Sequence, residues 1–259
     1  MDCSLSRKAH YGCIALCAVL VCSLLNGCRL AGDTEYDAAV REYEEIVDKQ
    51  SEIQTTSTED IPFALAEMDR TNDDVCGWLL VPGTNVTLPI VQHGLDNAFY
   101  LDHAFDGSYS PLGCPYLELE NSKSFTDSLT VIYGHSSKSV SLAFSQLHEF
   151  EDPDFFKNNR LFFIYTMDKI LIYEIVSACL FNDTHLLETI GSADGYSLDE
   201  LYRFVSAPND STAGNWIVGS SLNPDEDKVV MLSTCQIPGV EGTRFVVTGV
   251  FKGSNTINL

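Results

Sequence analysis

The chain has 259 residues and a formal charge of −22, from 15 basic and 37 acidic side chains. Nucleic-acid binding depends mainly on clustered Lys and Arg that neutralise phosphates, so this balance argues against a nucleic-acid surface. With 45% hydrophobic residues the chain can fill a sizeable core, either as two average domains or as one large β domain. The acidic excess keeps the chain soluble and favours cationic partners.

Residues 1–32 have the pattern of a targeting segment. Two basic residues precede an apolar run from Tyr11 to Leu25, as in the positive and apolar regions of a signal. The run is short for an uncut membrane anchor, which needs about 17 to 25 apolar residues. It ends in LNGC, which is similar to a lipoprotein signal except for its asparagine. An uncut anchor, lipid on Cys28 and free secretion therefore stay open, and the first two tether the chain to the outer face of the membrane.

Helical and polar segments follow. The apolar residues of Glu35–Lys49 recur at helical spacing, which predicts an amphipathic helix. The polar stretch Ser51–Asp60 has no periodicity and predicts a linker, so residues 33–60 form a helical stalk and linker. A short helix is expected over Pro62–Arg70, at the start of a folded domain that spans residues 61–259.

Beyond Val75 the sequence changes to short apolar runs bounded by turn residues. Eight strands are predicted, at Gly77–Val81, Thr87–Val91, Pro115–Glu118, Leu129–Tyr133, Leu161–Thr166, Ile170–Val176, Lys228–Ser233 and Arg244–Phe251. Short strands with modest gaps favour a mainly β fold, a closed barrel or a sandwich, because closure removes unpaired edges. Two helical insertions are expected, at Ser141–His148 and at Ser197–Val205, and the second begins with capping-box spacing.

Three residues near predicted strand ends carry the chemistry. A nucleophilic cysteine needs a partner, usually histidine, that stabilises its thiolate and returns a proton to the leaving group. His135 follows one strand across a glycine, and Cys235 ends another. Arg244 begins the strand that we expect to pair antiparallel with that of Cys235, where a guanidinium can hold substrate and stabilise charge on its carbonyl oxygen. A strand-capping role at the surface is the alternative for Arg244.

The order of these residues resembles that of the sortases, cysteine transpeptidases of mainly Gram-positive cell surfaces. The sequence LSTC at residues 232–235 is followed by Arg244, and YGH at residues 133–135 precedes it by about a hundred positions. Further segments are similar to class B of that family, among them NDDVCGWL at residues 72–79 and DNAFYL at residues 96–101. The resemblance extends from about Phe63 to Phe251.

The resemblance implies a role for each matching residue. Cys235 corresponds to the nucleophile, His135 to the general acid and base, and Arg244 to the residue that binds substrate and supports the oxyanion. It implies substrate contacts for four further residues, Ser233, Thr234, Asn97 and Leu101. The implied fold is a closed eight-stranded sortase-type β-barrel with N-terminal helices and a helical insertion before the strand bearing the cysteine, and it uses no metal or cofactor.

The implied reaction cleaves a C-terminal sorting motif after a threonine and forms a thioacyl-enzyme at Cys235. The acyl group then passes to an amine of a peptidoglycan precursor or of a pilin lysine, so the partners are sorting-signal peptides of surface proteins. Two positions depart from the family pattern. Gln236 follows the nucleophile in place of an acid, and Cys114 is a second thiol near the groove, a disulfide partner of Cys76 or Cys179, or a buried residue.

Two other functions stay open on the residues alone. A His/Cys-type cysteine endopeptidase shares the chain order and would release an acid product without transpeptidation. A surface lipoprotein that binds a ligand would use Cys235 as part of its core. The absence of zinc-ligand spacing among the cysteines predicts no metal site.

Overall fold

The computed structural model describes residues 60–110, 113–136, 144–182, 187, 197–206, 214–217, 222–223, 225–235 and 242–257. The expected targeting segment, the stalk helix and nearly all of the linker lie outside the described residues. In the described part of the chain, no helix is both long and apolar enough to cross a membrane.

The described elements are mainly strands. The α-helices are α1 (Ile61–Thr71), α2 (Pro153–Asn158) and α3 (Leu198–Ser206), and two 3₁₀ helices cover Phe99–Leu101 and Ser145–Glu151. The strands are β1 (Val75–Leu80), β2 (Thr87–Val91), β3 (Tyr116–Leu117), β4 (Leu129–Gly134), β5 (Leu161–Tyr165), β6 (Lys169–Asn182), β7 (Gly214–Trp216), β8 (Val229–Cys235) and β9 (Thr243–Thr256).

Eight of the strands form a closed ring. The order of hydrogen-bonded neighbours is β5-β1-β2-β3-β4-β8-β9-β6, and pairing of β5 with β6 closes the barrel. The ring is mixed, since β4 runs parallel to β8 and β2 parallel to β3, while the other pairs are antiparallel. The ninth strand, β7, is an extra strand that pairs with the second half of β6. This architecture confirms the predicted closed eight-stranded barrel.

Side chains on the strands alternate between the barrel interior and its outer face, as period two requires. The interior cluster draws on every ring strand and includes Phe162, Leu232 and Val247, all fully buried. The outer cluster lies beneath α1 and α3, which bury Leu65 and Leu201 against it. The helices therefore cover part of the outer face.

The eight predicted strands and the helices near residues 62 and 197 are confirmed, with ends shifted by a few residues. The predicted capping box of α3 is present, because the Ser197 backbone amide donates to Glu200 at 2.8 Å and the Glu200 amide donates to the Ser197 hydroxyl at 3.2 Å. The first insertion differs from the prediction. Residues 141–143 lie outside the described residues, Ser145–Glu151 is a 3₁₀ helix, and α2 follows with Asp152 as its N-cap.

Candidate active site

The register of three neighbouring strands brings the predicted catalytic positions to one edge of the barrel. β4 and β8 run parallel, with Tyr133 opposite Ser233 and Gly134 opposite Thr234. His135 and Cys235 are the next positions on these two strands, so both lie at the carboxyl ends of β4 and β8. On the other side of β8, the Cα atom of Cys235 is paired with that of Arg244.

Strand periodicity also puts these positions on the same face of the sheet. Tyr133 and Val246 belong to the outer cluster, two positions before His135 and two after Arg244. Residues 229 and 231 of β8 belong to that cluster too, and position 235 follows them at even spacing. Positions 135 and 235, which are a hundred residues apart in the chain, therefore lie on the same outer face at this edge.

The imidazole of His135 is held by the loop that contains Leu101. Its Nε2 atom lies 2.7 Å from the Leu101 carbonyl oxygen. Because a carbonyl oxygen only accepts, Nε2 carries the proton in this hydrogen bond. Gly113 supports the same loop from behind, with a backbone φ of +60°, and a Cβ atom there would lie 2.7 Å from the Leu101 oxygen. Only a residue without a side chain fits so close to this carbonyl.

Arg244 lies over the aromatic ring of Tyr133. Its Cζ atom is 5.8 Å from the ring centroid, within the range of a cation–π interaction. Its Nε atom is buried and has no hydrogen-bond partner among the described residues. Burial raises the pKa of Tyr133 well above its usual range, the Glu118 carboxylate raises it further, and Arg244 opposes them. The hydroxyl therefore stays protonated.

The four predicted substrate-contact residues fall into two groups. Asn97 joins two loops, since its amide donates to Glu120 at 3.0 Å and its carbonyl oxygen accepts from the Leu119 backbone at 2.7 Å. Leu101 is partly exposed beside His135. Ser233 and Thr234 have fully buried side chains, and their hydroxyls have no hydrogen-bond partner among the described residues. Of this set, Leu101 contacts the imidazole through its backbone carbonyl.

The other described cysteines are free thiols. Cys114 is buried and its thiol lies 3.7 Å from the Pro89 carbonyl oxygen. Of the alternatives for this residue, the structure supports a buried free thiol rather than a disulfide. Burial raises the pKa of Cys179 to about 12 and that of Cys114 further still, so neither forms a thiolate at neutral pH. These two buried thiols lack the ionised form that nucleophilic attack needs.

Sequence reasoning missed three residues that shape this edge: Tyr133, Glu118 and Gly113. The alternation of side chains along a strand places Tyr133 on the same face as His135, and this pattern could have identified Tyr133 from the sequence. Glu118 is 1% exposed, and a single acidic residue at the end of an apolar strand gives no signal of burial. The left-handed conformation of Gly113 has no sequence signature apart from the glycine itself.

Comparisons with known proteins show relatives of the chain. The chain is 27% identical to sortase B of Listeria monocytogenes over 192 residues, 71% of the chain and 72% of that protein. The crystal structure of Clostridium perfringens sortase B is 30% identical, with a TM-score of 0.60 over 73% of this chain and 99% of that one. A Streptococcus pyogenes class B sortase involved in pilus biogenesis is 27% identical, with a TM-score of 0.61 over 72% of this chain and 97% of that one.

No model of a known protein family matches the chain. The solved structures nevertheless share the closed barrel, and the Clostridium perfringens protein is matched over nearly its whole length at 30% identity. The chain therefore belongs to the sortase family, is class B-like, and is a cysteine transpeptidase.

Proposed function

We propose that Cys235 is the nucleophile of this transpeptidase, that His135 is its general acid and base, and that Arg244 binds the substrate carbonyl. The single observation that supports this most is the register of β4, β8 and β9, which puts positions 135, 235 and 244 at one edge and on one face. A thiolate, a proton carrier and a fixed cation are the groups that acyl transfer through a thioester requires.

In the first half-reaction the Cys235 thiolate attacks the backbone carbonyl carbon of a threonine in the sorting peptide. The carbonyl electrons move onto oxygen, and the guanidinium of Arg244 stabilises this oxyanion. The C–N bond then breaks, His135 protonates the departing amine, and a thioester remains. The hydrogen bond from Nε2 to Leu101 leaves Nδ1 as the ring atom that gives up this proton.

In the second half-reaction an acceptor amine attacks the thioester carbonyl. His135 removes a proton from that amine, the C–S bond breaks, and the Cys235 thiolate is regenerated with the new amide as product. The acceptor in our proposal is an amine of a peptidoglycan precursor or of a pilin lysine. The pilus role of the Streptococcus pyogenes relative supports the inclusion of the pilin acceptor.

The donor peptide lies along the outer face beside Leu101 in this proposal. Leu101 is 39% exposed and offers apolar surface next to the imidazole, and Asn97 fixes the neighbouring loop through Glu120 and Leu119. Ser233 and Thr234 are buried, so we assign them to supporting the backbone of the cysteine-bearing strand from within the sheet.

The location of the enzyme in the cell is also part of our proposal. Sortases act at the cell surface, and residues 1–32 in our proposal tether the chain there, either as an uncut anchor or through lipid on Cys28. Residues 33–60 act as stalk and linker, and residues 61–259 form the catalytic domain. Its partners are the sorting-signal peptides of surface proteins.

Mass spectrometry of the full-length chain with labelled pentapeptides that contain threonine tests these roles. Wild type should form an adduct on Cys235, and a glycine-peptide acceptor should convert it to an amine-capped product, whereas an endopeptidase gives mainly acid. Cys235→Ala should lose both the adduct and turnover, and Cys179→Ala should keep them because that thiol is buried on another strand. Arg244→Ala should cost about 3 kcal/mol of barrier, as the loss of an oxyanion donor does. Turnover by Cys235→Ala would refute the assignment.

A further inference from the structure

A cavity lies near the end of β8 opposite to Cys235. It has a volume of about 530 Å³, which is in the range of small-molecule sites. Lys228, which lines it, directly precedes β8, whereas Cys235 ends that strand. At about 3.3 Å per residue, the two positions are separated by roughly 20 Å along the strand. The cavity is therefore distinct from the transpeptidase site.

The charge of this cavity is opposite to that of the chain. Three of the chain's 15 basic residues line it, Lys123, Lys169 and Lys228, against one acidic residue, Asp168. Asp168 lies 3.5 Å from Lys169, so these two charges offset each other. Lys228 forms no ion pair with a described residue.

Lys123 keeps part of its donor capacity. Its ammonium donates to the Asp73 carbonyl at 2.8 Å and lies 3.9 Å from the Asp74 carboxylate. An ammonium has three N–H donors, so two of them remain for a ligand. The neighbouring Cys76 thiol adds no competing charge, because burial raises its pKa to about 12.

The rest of the wall combines hydroxyl groups with apolar surface. Ser124, Thr126 and Ser254 supply hydroxyls at the surface of the cavity. Leu171 and Phe251 add apolar surface to the lining, and Phe251 is only partly buried. Ammonium and hydroxyl donors together with apolar surface suit an anion that carries an apolar body.

We propose that this cavity binds a small phosphate monoester, with the phosphate between Lys123 and Lys228 and the apolar body against Phe251 and Leu171. A phosphate monoester carries a charge of about −1.5 to −2 at pH 7 and has three acceptor oxygens. It therefore satisfies two ammonium groups and the adjacent hydroxyls, whereas a carboxylate supplies one charge. This site is independent of the peptide groove.

Isothermal titration calorimetry with phenyl phosphate tests the proposal on the full-length chain in nanodiscs of zwitterionic lipid, with empty discs as the blank. Wild type should show saturable binding. Lys228→Gln should weaken it about fivefold, as expected for an exposed charge-assisted contact, and Lys157→Gln on α2 should leave it unchanged. Phenol should bind more weakly than phenyl phosphate because it lacks the charge, and inorganic phosphate because it lacks the ring.

Each contrary result would overturn the site. Absence of saturable binding to wild type removes the site, and equal weakening by Lys157→Gln shows a general charge effect instead. Phenol that binds as tightly as phenyl phosphate shows that the lysines do not recognise the ligand. Cleavage of sorting peptides by Lys228→Gln at the wild-type rate is expected, since Lys228 lies away from Cys235. This control reports folding and separates the proposal from the assigned catalytic roles.

Discussion

Tyr133 connects the proposed oxyanion donor to the buried part of the barrel wall. Its side chain is 4% exposed, and its ring supports the guanidinium of Arg244 from below. The same ring stacks on Tyr116 at a centroid distance of 5.5 Å. A cation that must keep one orientation through the reaction gains from such a rigid aromatic surface, because a long arginine side chain otherwise samples many rotamers.

We therefore predict that Tyr133→Leu lowers kcat/KM for a sorting peptide by about 2- to 30-fold, the equivalent of a cation–π contact of about 0.5 to 2 kcal/mol. Tyr133→Phe keeps the ring and should retain most activity. In the Arg244→Ala background, Tyr133→Leu should cause no further loss, since its effect acts through the guanidinium. Steady-state kinetics of the four combinations measure this coupling, and equal losses in both backgrounds would show a purely structural role.

Gly113 sets the position of the carbonyl that binds His135. A Cβ atom there would lie 2.5 Å from the Tyr100 oxygen and 2.7 Å from the Leu101 oxygen. Gly113→Ala should displace this loop and lower kcat at least about tenfold, with little change in KM. The reason is that correct orientation of a general acid contributes about 100-fold or more to the rate. Gly94→Ala is the matched control, since nothing lies within 4 Å of its Cβ. An unchanged kcat in Gly113→Ala would show that the Leu101 contact does not position the imidazole.

At the scale of elements, the site depends on one parallel and one antiparallel pairing. The antiparallel pairing of β8 with β9 could be predicted, because a short loop joins the strand of Cys235 to that of Arg244. The parallel pairing of β4 with β8 could not, since the two strands are separated by some ninety residues and no local pattern records their contact. The family resemblance, rather than strand periodicity, predicted that His135 lies near Cys235.

Strand ends show where a periodic pattern stops being informative. The predicted strand Ile170–Val176 corresponds to the 14-residue β6, which continues to Asn182. Register shifts at Ile172/Tyr173 and at Ile175/Ser177 interrupt the alternation, and the prediction ended at the second of them. The three-residue β7 has no periodicity to detect, because its place depends on the free edge of β6.

The capping box of α3 stabilises the helix that covers the outer cluster. Accepted hydrogen bonds from Ser197 lower the pKa of the Glu200 carboxyl. Because the folded-state pKa lies below the unfolded value, this stabilisation is present above about pH 4.5 and is lost as the pH falls through the folded value. Glu200→Gln should lower the urea midpoint at pH 7 by more than it does at pH 3.5. Glu226→Gln, in an exposed turn, is the control, and a difference from wild type that does not change with pH would contradict this linkage.

At the scale of the whole molecule, closure of the barrel and the charge of the chain have separate consequences. The pairing of β5 with β6 closes the ring of strands, and the proposed catalytic positions lie at or directly beside the ends of hydrogen-bonded strands. Arg244 is then a cation on a chain whose formal charge is −22. The acidic surface sets the long-range field that an approaching peptide meets, whereas Arg244 acts only at short range.

This field should favour cationic substrates at low ionic strength. A sorting peptide with lysines outside the cleaved motif should show a higher kcat/KM than the same motif with glutamates, because a negative protein steers positive ligands. Salt shortens the Debye length from about 30 Å at 0.01 M to about 3 Å at 1 M, so the two values should converge as sodium chloride rises. Initial rates below KM across this salt range measure the effect, with a neutral serine-flanked peptide as the reference. Parallel salt curves for all three peptides would show that recognition depends on the strand-end site alone and that the surface charge serves solubility.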